Sequence, residues 1–375
     1  MKQIVSLFAL VVCLLFISCK SDTKDDGTIK VEFGAPIENF TELIESVEYI
    51  PLETDMVFIL DGEPELYLSE TDYYIVNKKD YNLNHGAYRY SPKGEYLNSF
   101  GSKGRGPGEY VRICDFQPYK DTILIFSDNK MLKYKTSGDL ISEASLSSYG
   151  DAFICTESGE ILTYYGYGSL KSYRFALETA GDTTLIERYF DSENNRRFIS
   201  MVPFAPIFSE NGTKLTVLDP INPVVYIFEE KRLNPYLIFD FGKYDKSKQY
   251  YAIDDVYKSI EFLESSDYAV IHRYLESDLY KIVEINVASE EDYGGLHYGL
   301  YKDEKWHWFK GGNLFGENAF DGTFRCLFDD TLYFIMTPMQ VKHIPAEIAA
   351  LALNPEAVAN IKDEDNYVIT KIKLK

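Results

Sequence analysis

The sequence predicts an all-β protein, a six-bladed β-propeller of four-stranded antiparallel blades with short helical insertions. Three observations predict it: a unit that recurs six times, hairpin patterns inside the units, and 31 tyrosines and 24 phenylalanines, residue types that favour strands. Each unit has an apolar start, a polar turn and a strand rich in Tyr, Ile, Leu and Val. The turns contain Asp72, Asp121, Gly159, Gly212, Asp267 and Asp330. Their spacing of 38 to 63 residues falls around the roughly 40 to 50 residues of propeller repeats.

Hairpin patterns supply the further strands of each blade. Residues 88–97 and 132–141 share an alternating strand, a tight turn with Gly and a second strand, 44 positions apart. Residues 173–175, 225–228 and 279–283 occupy the same place in later units, with longer turns. Four antiparallel strands in each of six units indicate a propeller, in which closure of the ring protects the faces and edges of the blades.

The two ends of the predicted propeller are expected to close the ring. Residues 47–52 form a strand without a partner nearby in sequence, and residues 367–374 form an alternating strand. We expect the two to share one blade, with Pro51 at an outer edge because proline cannot donate a backbone hydrogen bond. Residues 254–264 and 345–361 have the pattern of short helices, and we expect them as insertions on one face.

The charge balance excludes one class of partner. The 375 residues include 38 Lys and Arg against 59 Asp and Glu, a net charge of −21. Such a chain repels a phosphate backbone at long range, and the sequence has no basic stripe to offset the repulsion. We therefore expect no nucleic-acid partner.

The first 27 residues predict export. Residues 1–18 carry Lys2, an apolar run and a small residue directly before Cys19, as in a secretory signal with a lipoprotein-type cleavage site. An ordinary cleaved signal peptide, or an uncleaved anchor with Cys19 incidental, is the alternative. Residues 19–27 are polar and predict a flexible tether, so residues 28–375 are assigned to the propeller.

Three further cysteines lie in the predicted propeller: Cys114, Cys155 and Cys326. An odd number cannot form a complete disulfide framework, and no CxxC spacing indicates a metal site. We expect these cysteines to be buried as small apolar residues.

Two motifs carry a resemblance to a known family. Residues 101–110 read Gly-Ser-Lys-Gly-Arg-Gly-Pro-Gly-Glu-Tyr, and residues 47–54 read Val-Glu-Tyr-Ile-Pro-Leu-Glu-Thr. With them the chain resembles, over roughly residues 28–375, the six-bladed β-propeller lipoproteins of Bacteroidetes, which are similar in style to NHL repeats. The resemblance implies an outer-membrane lipoprotein that faces the periplasm or the cell surface and touches the membrane through its lipid anchor only. It implies no catalytic residues, because most members have no assigned activity.

Few residues predict a ligand site. Trp306, His307 and Trp308 lie in an aromatic run suited to stacking on sugar faces or anchoring a protein partner. Core packing between blades explains the two tryptophans equally simply. Arg105 is a candidate anion contact in a glycine-rich segment, although the segment lacks the GxxxxGK[ST] pattern of a phosphate-binding loop.

Neither catalytic residues nor metal ligands are predicted, because the HExxH, GxSxG and GxGxxG patterns do not occur. Calcium is the one cofactor considered. Residues 80–86 match the first three ligand positions of a calcium loop, but Ser91 stands where its final Glu belongs, and a polar turn explains the segment. The five histidines lie in separate units, and their spacing leaves open whether they meet at the propeller axis.

These observations favour a noncatalytic binding or scaffold module for a glycan, a peptide or an envelope protein. The alternative is a propeller-type hydrolase, lactonase or lyase, with carboxylates and histidines converging at the central channel. A third interpretation is a component of cell-envelope assembly or signalling. Units three to six have the longest connections, so we expect the partner to contact the loops there.

Overall fold

Twenty-seven strands and a few short helices make up the described part of this computed structural model. The structure describes residues 29–33, 39–54, 64–78, 85–127, 130–146, 150–166, 171–180, 184–191, 206–211, 214–219, 221–253, 255–290, 294–311 and 324–375. The predicted signal, the tether and Cys19 lie outside the described residues, as do residues 80–84 of the calcium-like segment.

Two strands precede the blades, and they are β1 (Ile29–Glu32) and β2 (Ile44–Pro51). Blade one comprises β3 (Glu65–Leu68), β4 (Tyr73–Asn77), β5 (Gly86–Tyr90) and β6 (Tyr96–Phe100). A short parallel pair follows, β7 (Ser102–Lys103) and β8 (Glu109–Tyr110). Blade two comprises β9 (Asp115–Tyr119), β10 (Thr122–Ser127), β11 (Lys130–Lys135) and β12 (Leu140–Ser145).

The later blades repeat this order. Blade three comprises β13 (Ala152–Cys155), β14 (Ile161–Tyr164), β15 (Tyr173–Glu178) and β16 (Leu185–Asp191). Blade four comprises β17 (Phe208–Asn211), β18 (Lys214–Leu218), β19 (Val224–Glu229) and β20 (Arg232–Asp240). Blade five comprises β21 (Tyr268–Glu276), β22 (Lys281–Ala288), β23 (Gly295–Lys302) and β24 (Lys305–Lys310). Blade six comprises β25 (Phe324–Phe328), β26 (Thr331–Met336) and β27 (Val368–Leu374), with β2 added.

The six sheets form a ring, which confirms the predicted propeller. Within each sheet the strands that follow one another in the chain are antiparallel neighbours. The first strand of each blade contacts the first strand of the next, and β25 contacts β3. These six inner strands therefore surround a central channel.

The predicted closure of the ring is also confirmed. β2 pairs antiparallel with β27, with Val47 opposite Ile372 and Pro51 opposite Val368, and it is the outermost strand of blade six. Beyond β2 the chain meets the turn of blade one at Gly94, whose φ of 83° favours glycine. A Cβ at Gly94 would collide with the Pro51 carbonyl oxygen, so the close approach also requires glycine.

A fifth strand, which the sequence pattern did not predict, extends blade four. β1 runs parallel to β20, with Val31 opposite Phe239. Phe33 then makes edge contacts with Phe241 of blade four and Trp308 of blade five, at 5.7 and 5.1 Å between ring centroids. The chain next enters blade six as β2. The described residues before blade one therefore contact the outside of three blades.

The helices lie at one end of the ring, as predicted for insertions on one face. α1 (Ser247–Tyr251) and α2 (Val256–Ser265) precede β21, whereas α3 (Pro338–Lys342), α4 (Ala346–Ala349) and α5 (Glu356–Ala359) separate β26 from β27. Because neighbouring strands are antiparallel, β26 ends where the six inner strands begin. We call this end of the ring the upper face. Among the described residues, no helix combines the length and the apolar character needed to cross a membrane.

The fifth predicted unit is wrong by one strand. In the other units the strand after the turn residue is the second strand of a blade, but Asp267 precedes β21, an inner strand. The true first turn of blade five lies at residues 277–280, where the backbone N–H of Ser277 donates to the Tyr280 carbonyl at 2.8 Å. The error arose because Phe262, the apolar start of the predicted unit, belongs to α2.

Packing between neighbouring blades forms the hydrophobic core. Second strands are covered on both faces by the adjacent blades, and all five residues of β4 are buried. Outer strands such as β12 are mostly exposed. Phe126 of blade two stacks on Phe153 of blade three, at 4.7 Å between ring centroids. This burial pattern explains why the inner half of each unit is the more apolar half.

Candidate functional site

Five charged side chains from four blades meet on the inside of the ring, and we call them the axial cluster: Glu65, Lys78, Asp115, Arg273 and Arg325. Glu65 and Asp115 are the first residues of β3 and β9, and Arg325 is the second residue of β25. Lys78 follows the end of β4, which is antiparallel to β3. These four residues therefore lie at the upper face, whereas Arg273 lies further along β21, next to a β-bulge.

Glu65 interacts with both arginines of the axial cluster. Its two carboxylate oxygens lie 3.4 Å from Nη1 of Arg325 and 3.7 Å from Nη1 of Arg273. Arg273 belongs to blade five and Glu65 to blade one, with blade six between them. The Arg273 side chain must therefore reach across the inside of the ring.

Asp115 links the first three blades. Its Oδ1 accepts hydrogen bonds from Nζ of Lys78 at 2.8 Å and from the Tyr67 hydroxyl at 3.1 Å. Its Oδ2 accepts from the backbone N–H of Phe153, on the inner strand of blade three, at 3.1 Å. Together with the ion pairs that Glu65 makes with Arg273 and Arg325, these hydrogen bonds connect the inner strands of every blade except blade four.

Glu65 and Lys78 of the cluster are held in their charged forms. Burial alone would raise the pKa of the Glu65 carboxyl, but Arg325, Arg273 and Lys78 outweigh burial and hold this pKa below its usual value. Burial alone would lower the pKa of Lys78, but Asp115, Tyr67 and Glu65 raise it. Burial raises the pKa of the Tyr67 hydroxyl well above its usual value, so it stays a neutral hydrogen-bond donor.

The cluster also retains hydrogen-bonding capacity. Nε of Arg273 and Nε of Arg325 are buried and have no hydrogen-bond partner in the described structure. Arg273 is only 4% exposed, so bulk water does not reach most of its side chain. A buried donor without a partner costs free energy, and a ligand that accepts from it would recover that cost.

The cysteines and the described carboxylates present no metal centre. Cys326 directly follows Arg325 on β25; burial raises the pKa of its thiol to about 12, and its Sγ donates to the Leu66 carbonyl at 3.1 Å. Cys114, Cys155 and Cys326 form no disulfide with one another, and Cys155 is buried, whereas the other two are half-buried. Within the described ranges, no group of three or more His, Cys, Asp or Glu side chains is arranged to hold a metal ion.

The aromatic run lies away from the axial cluster, on the outer strand of blade five. Trp308 is 4% exposed and contacts Phe33 and Phe239 between blades four and five. Trp306 is half-buried and stacks on Trp308 at 5.8 Å between ring centroids, and His307 is buried. Trp308 is thus packed as a core residue, the alternative that the sequence left open. Of these three residues, only Trp306 offers a ligand substantial exposed surface.

Arg105 is exposed in the connection between β7 and β8, on the upper face. The protein's own carboxylates already occupy backbone donors of this connection. Glu109 Oε2 accepts from the Gly106 N–H at 2.6 Å, and Glu143 Oε2 accepts from the Gly108 N–H at 3.0 Å. Arg105 therefore remains a predicted anion contact through its side chain, in a loop whose backbone does not form a phosphate cradle.

Sequence reasoning missed all five residues of the axial cluster. Two of them left a usable signal, because Asp115 and Arg325 directly precede the apolar starts of two predicted units, at Phe116 and Cys326. A charged residue beside the start of an inner strand is a candidate for the channel. Arg273 left no such signal, because the fifth unit was shifted by one strand.

Comparison with known proteins supports the architecture. The chain is 17% identical to a candidate exported protein of Bacteroides fragilis NCTC 9343, with a TM-score of 0.73 over 93% of this chain and 99% of that one. It is 10% identical to a member of the DUF4221 family from Bacteroides vulgatus ATCC 8482, with a TM-score of 0.51 over 89% of this chain and 97% of that one. At these identities the likeness shows the fold alone. No curated protein matches the chain. The model of a domain of unknown function, DUF4934, matches residues 29–373, and the chain therefore belongs to the DUF4934 family.

Proposed function

We propose that this protein is an exported, noncatalytic binding module that receives a glycan, a peptide or an envelope protein at the upper face of its propeller. The observation that carries the proposal is the position of the axial cluster. Four of its five residues lie at the end of the ring where the helical insertions and the connection with Arg105 also lie. Loops from several blades can surround one ligand there, whereas residues on an outer edge belong to single blades.

The proposed cellular location of the module rests on its N-terminal sequence. A secretory signal followed by Cys19 supports an outer-membrane lipoprotein that faces the periplasm or the cell surface. The likeness to a candidate exported protein of Bacteroides fragilis agrees with export. In this proposal the lipid anchor is the contact with the membrane, and the propeller is the contact with the partner.

The chemistry of the axial cluster favours binding over catalysis. Glu65 and Asp115 are both engaged by cations, and Tyr67 and the thiol of Cys326 are held protonated. A hydrolase needs a base or nucleophile that is ready to react. None of these groups meets that need.

One observation supports the second candidate, a hydrolase or lactonase. Nδ1 of His272 lies 2.7 Å from Oε1 of the buried Glu284, beside Arg273. A carboxylate that orients a histidine in this way is a common arrangement of general bases. Hydrolysis of an ester or lactone panel that is lost in His272→Ala would support this candidate, and a panel that stays unhydrolysed would reject it.

Glycan and peptide arrays probed with the mature protein test the binding module. We expect a retained ligand whose binding weakens in Arg325→Gln, at the upper face. The matched control is Lys120→Gln, which removes one positive charge from an exposed turn at the opposite end of the ring and should bind like the wild type. Equal losses in both variants, or arrays that retain nothing, would contradict the proposal.

A further inference from the structure

We infer that the axial cluster binds a single carboxylate group that its ligand carries on an otherwise uncharged framework. The inference rests on the proposed function, because it names the chemistry by which the upper face recognises its partner. Three properties of the cluster carry it: its charge balance, the state of its two arginines and the charge of the surrounding chain.

The charge balance fits one negative charge. Three cations, Lys78, Arg273 and Arg325, are paired with the two carboxylates of Glu65 and Asp115. The five members of the cluster therefore carry one excess positive charge in a partly desolvated place, where an unbalanced charge is costly. The buried carboxylate of Glu284, opposite Arg273 on β22, is engaged instead by Nδ1 of His272 at 2.7 Å. One ligand carboxylate balances this excess. A dianionic phosphate would instead leave a negative charge beside two carboxylates.

Glu65 does not occupy all the hydrogen-bond donors of Arg273 and Arg325. Its oxygens lie 3.4 and 3.7 Å from the two Nη1 atoms, longer than the roughly 2.7–2.9 Å of a charge-assisted hydrogen bond. Lys78, by contrast, lies 2.8 Å from Asp115. The buried Nε atoms of Arg273 and Arg325 have no hydrogen-bond partner in the described structure. A guanidinium offers parallel N–H groups that match the two oxygens of a carboxylate, so both arginines are suited to this ligand.

The rest of the molecule limits the ligand to few charges. The whole chain carries a net charge of −21, so an acidic polymer is repelled before it reaches the channel. A mostly uncharged ligand with one carboxylate avoids that repulsion. A neutral oligosaccharide that ends in an acidic sugar and an uncharged peptide with a free C-terminus share this chemistry.

Matched probe pairs test the inference by isothermal titration calorimetry on the mature protein. One pair is a disaccharide that ends in glucuronic acid and its glucose counterpart, and the other is an uncharged peptide with a free C-terminus and its C-terminal amide. We expect the carboxylate member of one pair to bind about tenfold or more tightly than its neutral counterpart, and that pair identifies the source. Equal binding within both pairs, or tighter binding of inorganic phosphate or sulfate, would overturn the inference.

Variants separate ligand recognition from a structural role. Arg273→Lys and Arg325→Lys keep the charge but lose the guanidinium, so the carboxylate probe should bind more weakly, whereas Lys120→Gln should leave binding unchanged. Glu65→Gln removes the internal carboxylate that shares the arginines, so the probe should bind more tightly. If the arginines only hold the blades together, these variants will lower the melting temperature without changing affinity, and the inference fails. Should Glu65→Gln not fold, the two Arg→Lys variants decide the question.

Different experimental results would contradict the carboxylate inference and the proposed binding function. If the arrays find an uncharged ligand whose binding needs the upper face, the carboxylate inference is wrong and the binding module stands. If neither the arrays nor the probe pairs detect a ligand, both are wrong.

Discussion

Trp306 and Trp308 stack on each other, but they differ in burial, and the difference separates a core role from a binding role. We expect Trp308→Ala to lower the free energy of unfolding by about 3–5 kcal/mol, because it empties the space under Phe33 between two blades. Trp306→Ala should cost clearly less, because part of its ring is already exposed. Guanidinium denaturation followed by circular dichroism measures both changes.

Tyr257 is a suitable aromatic control for these substitutions, because it is 78% exposed on α2 and its replacement by Ala should change stability little. Similar large losses at Trp306 and Trp308 would contradict the difference in burial. They would also remove the binding role that the sequence suggested for this strand, since both rings would then be structural.

Glu65 should make the stability of the protein depend on acidic pH. Burial alone would raise the pKa of its carboxyl, but Arg325, Arg273 and Lys78 hold it below the value of the unfolded chain. The unfolded state therefore takes up this proton first as the pH falls. The stabilisation is complete above the unfolded pKa, and it is lost as the pH falls from that value through the lower folded pKa.

Melting temperatures of the wild type and Glu65→Gln across this pH range check the expectation. Glu65→Gln should be less stable at neutral pH, by about 2–4 kcal/mol, because two arginines lose their shared carboxylate. Its melting temperature should also fall less steeply with acid. The control is Glu157→Gln, at an exposed turn, which should reproduce the slope of the wild type. An equally steep slope in Glu65→Gln would show that other carboxylates cause the acid sensitivity.

The two strands that precede blade one, β1 and β2, contribute differently to the stability of the propeller. Deleting residues 47–52 removes most of β2, opens blade six and should lower the free energy of unfolding by several kcal/mol, about half or more of what a typical domain has. Deleting residues 29–33 removes β1 from a blade that already has four strands, so it should cost less. Guanidinium midpoints compare the two deletions. An unchanged midpoint after the first deletion would reject the closure of the ring by β2.

The helical insertion of blade six protects the closing strand. The Val47 N–H donates to the Leu351 carbonyl at 3.0 Å, and the Leu353 N–H donates to the Val47 carbonyl at 2.8 Å. The Asn354 side chain bonds both backbone groups of Tyr49. An open edge strand is a template for aggregation, and this segment covers part of that edge. Loop packing thus explains part of residues 345–361, and α2 is also packed, because its Leu263 lies in a core cluster with Tyr250 of α1.

The proposed attachment to a membrane concerns the whole molecule, and we expect it to depend on Cys19. We expect the wild type to partition into detergent and Cys19→Ala to remain in the aqueous phase, because the lipid would be linked to this thiol. Cys13→Ala, inside the apolar run of the signal, is the matched control and should still partition into detergent. Detergent-phase separation followed by immunoblotting measures both variants. A Cys19→Ala protein that still enters the detergent phase is anchored elsewhere.

The sequence by itself determined the architecture, because that architecture is built from local patterns. Alternating residues predict strands, glycine turns such as that at Gly94 predict hairpins, and repetition predicts the number of blades. Ring closure was also predictable, because residues 47–52 had no partner nearby in the sequence and residues 367–374 had the alternating pattern of a strand. The fifth unit failed where α2 placed apolar residues just before an inner strand. A one-dimensional pattern cannot separate such residues from the start of a strand.

Only the tertiary structure decided which side chains meet. Glu65 and Arg325 are 260 positions apart, and they become neighbours because the ring closes between blades six and one. The burial of Trp308 was equally hidden, because it depends on Phe33 arriving from a segment that packs outside blades four and five. Periodicity reports pairing between strands that follow one another in the chain. Contacts across the channel, or along the outside of the ring, join residues that no repeat relates, so they leave no periodic trace in the sequence.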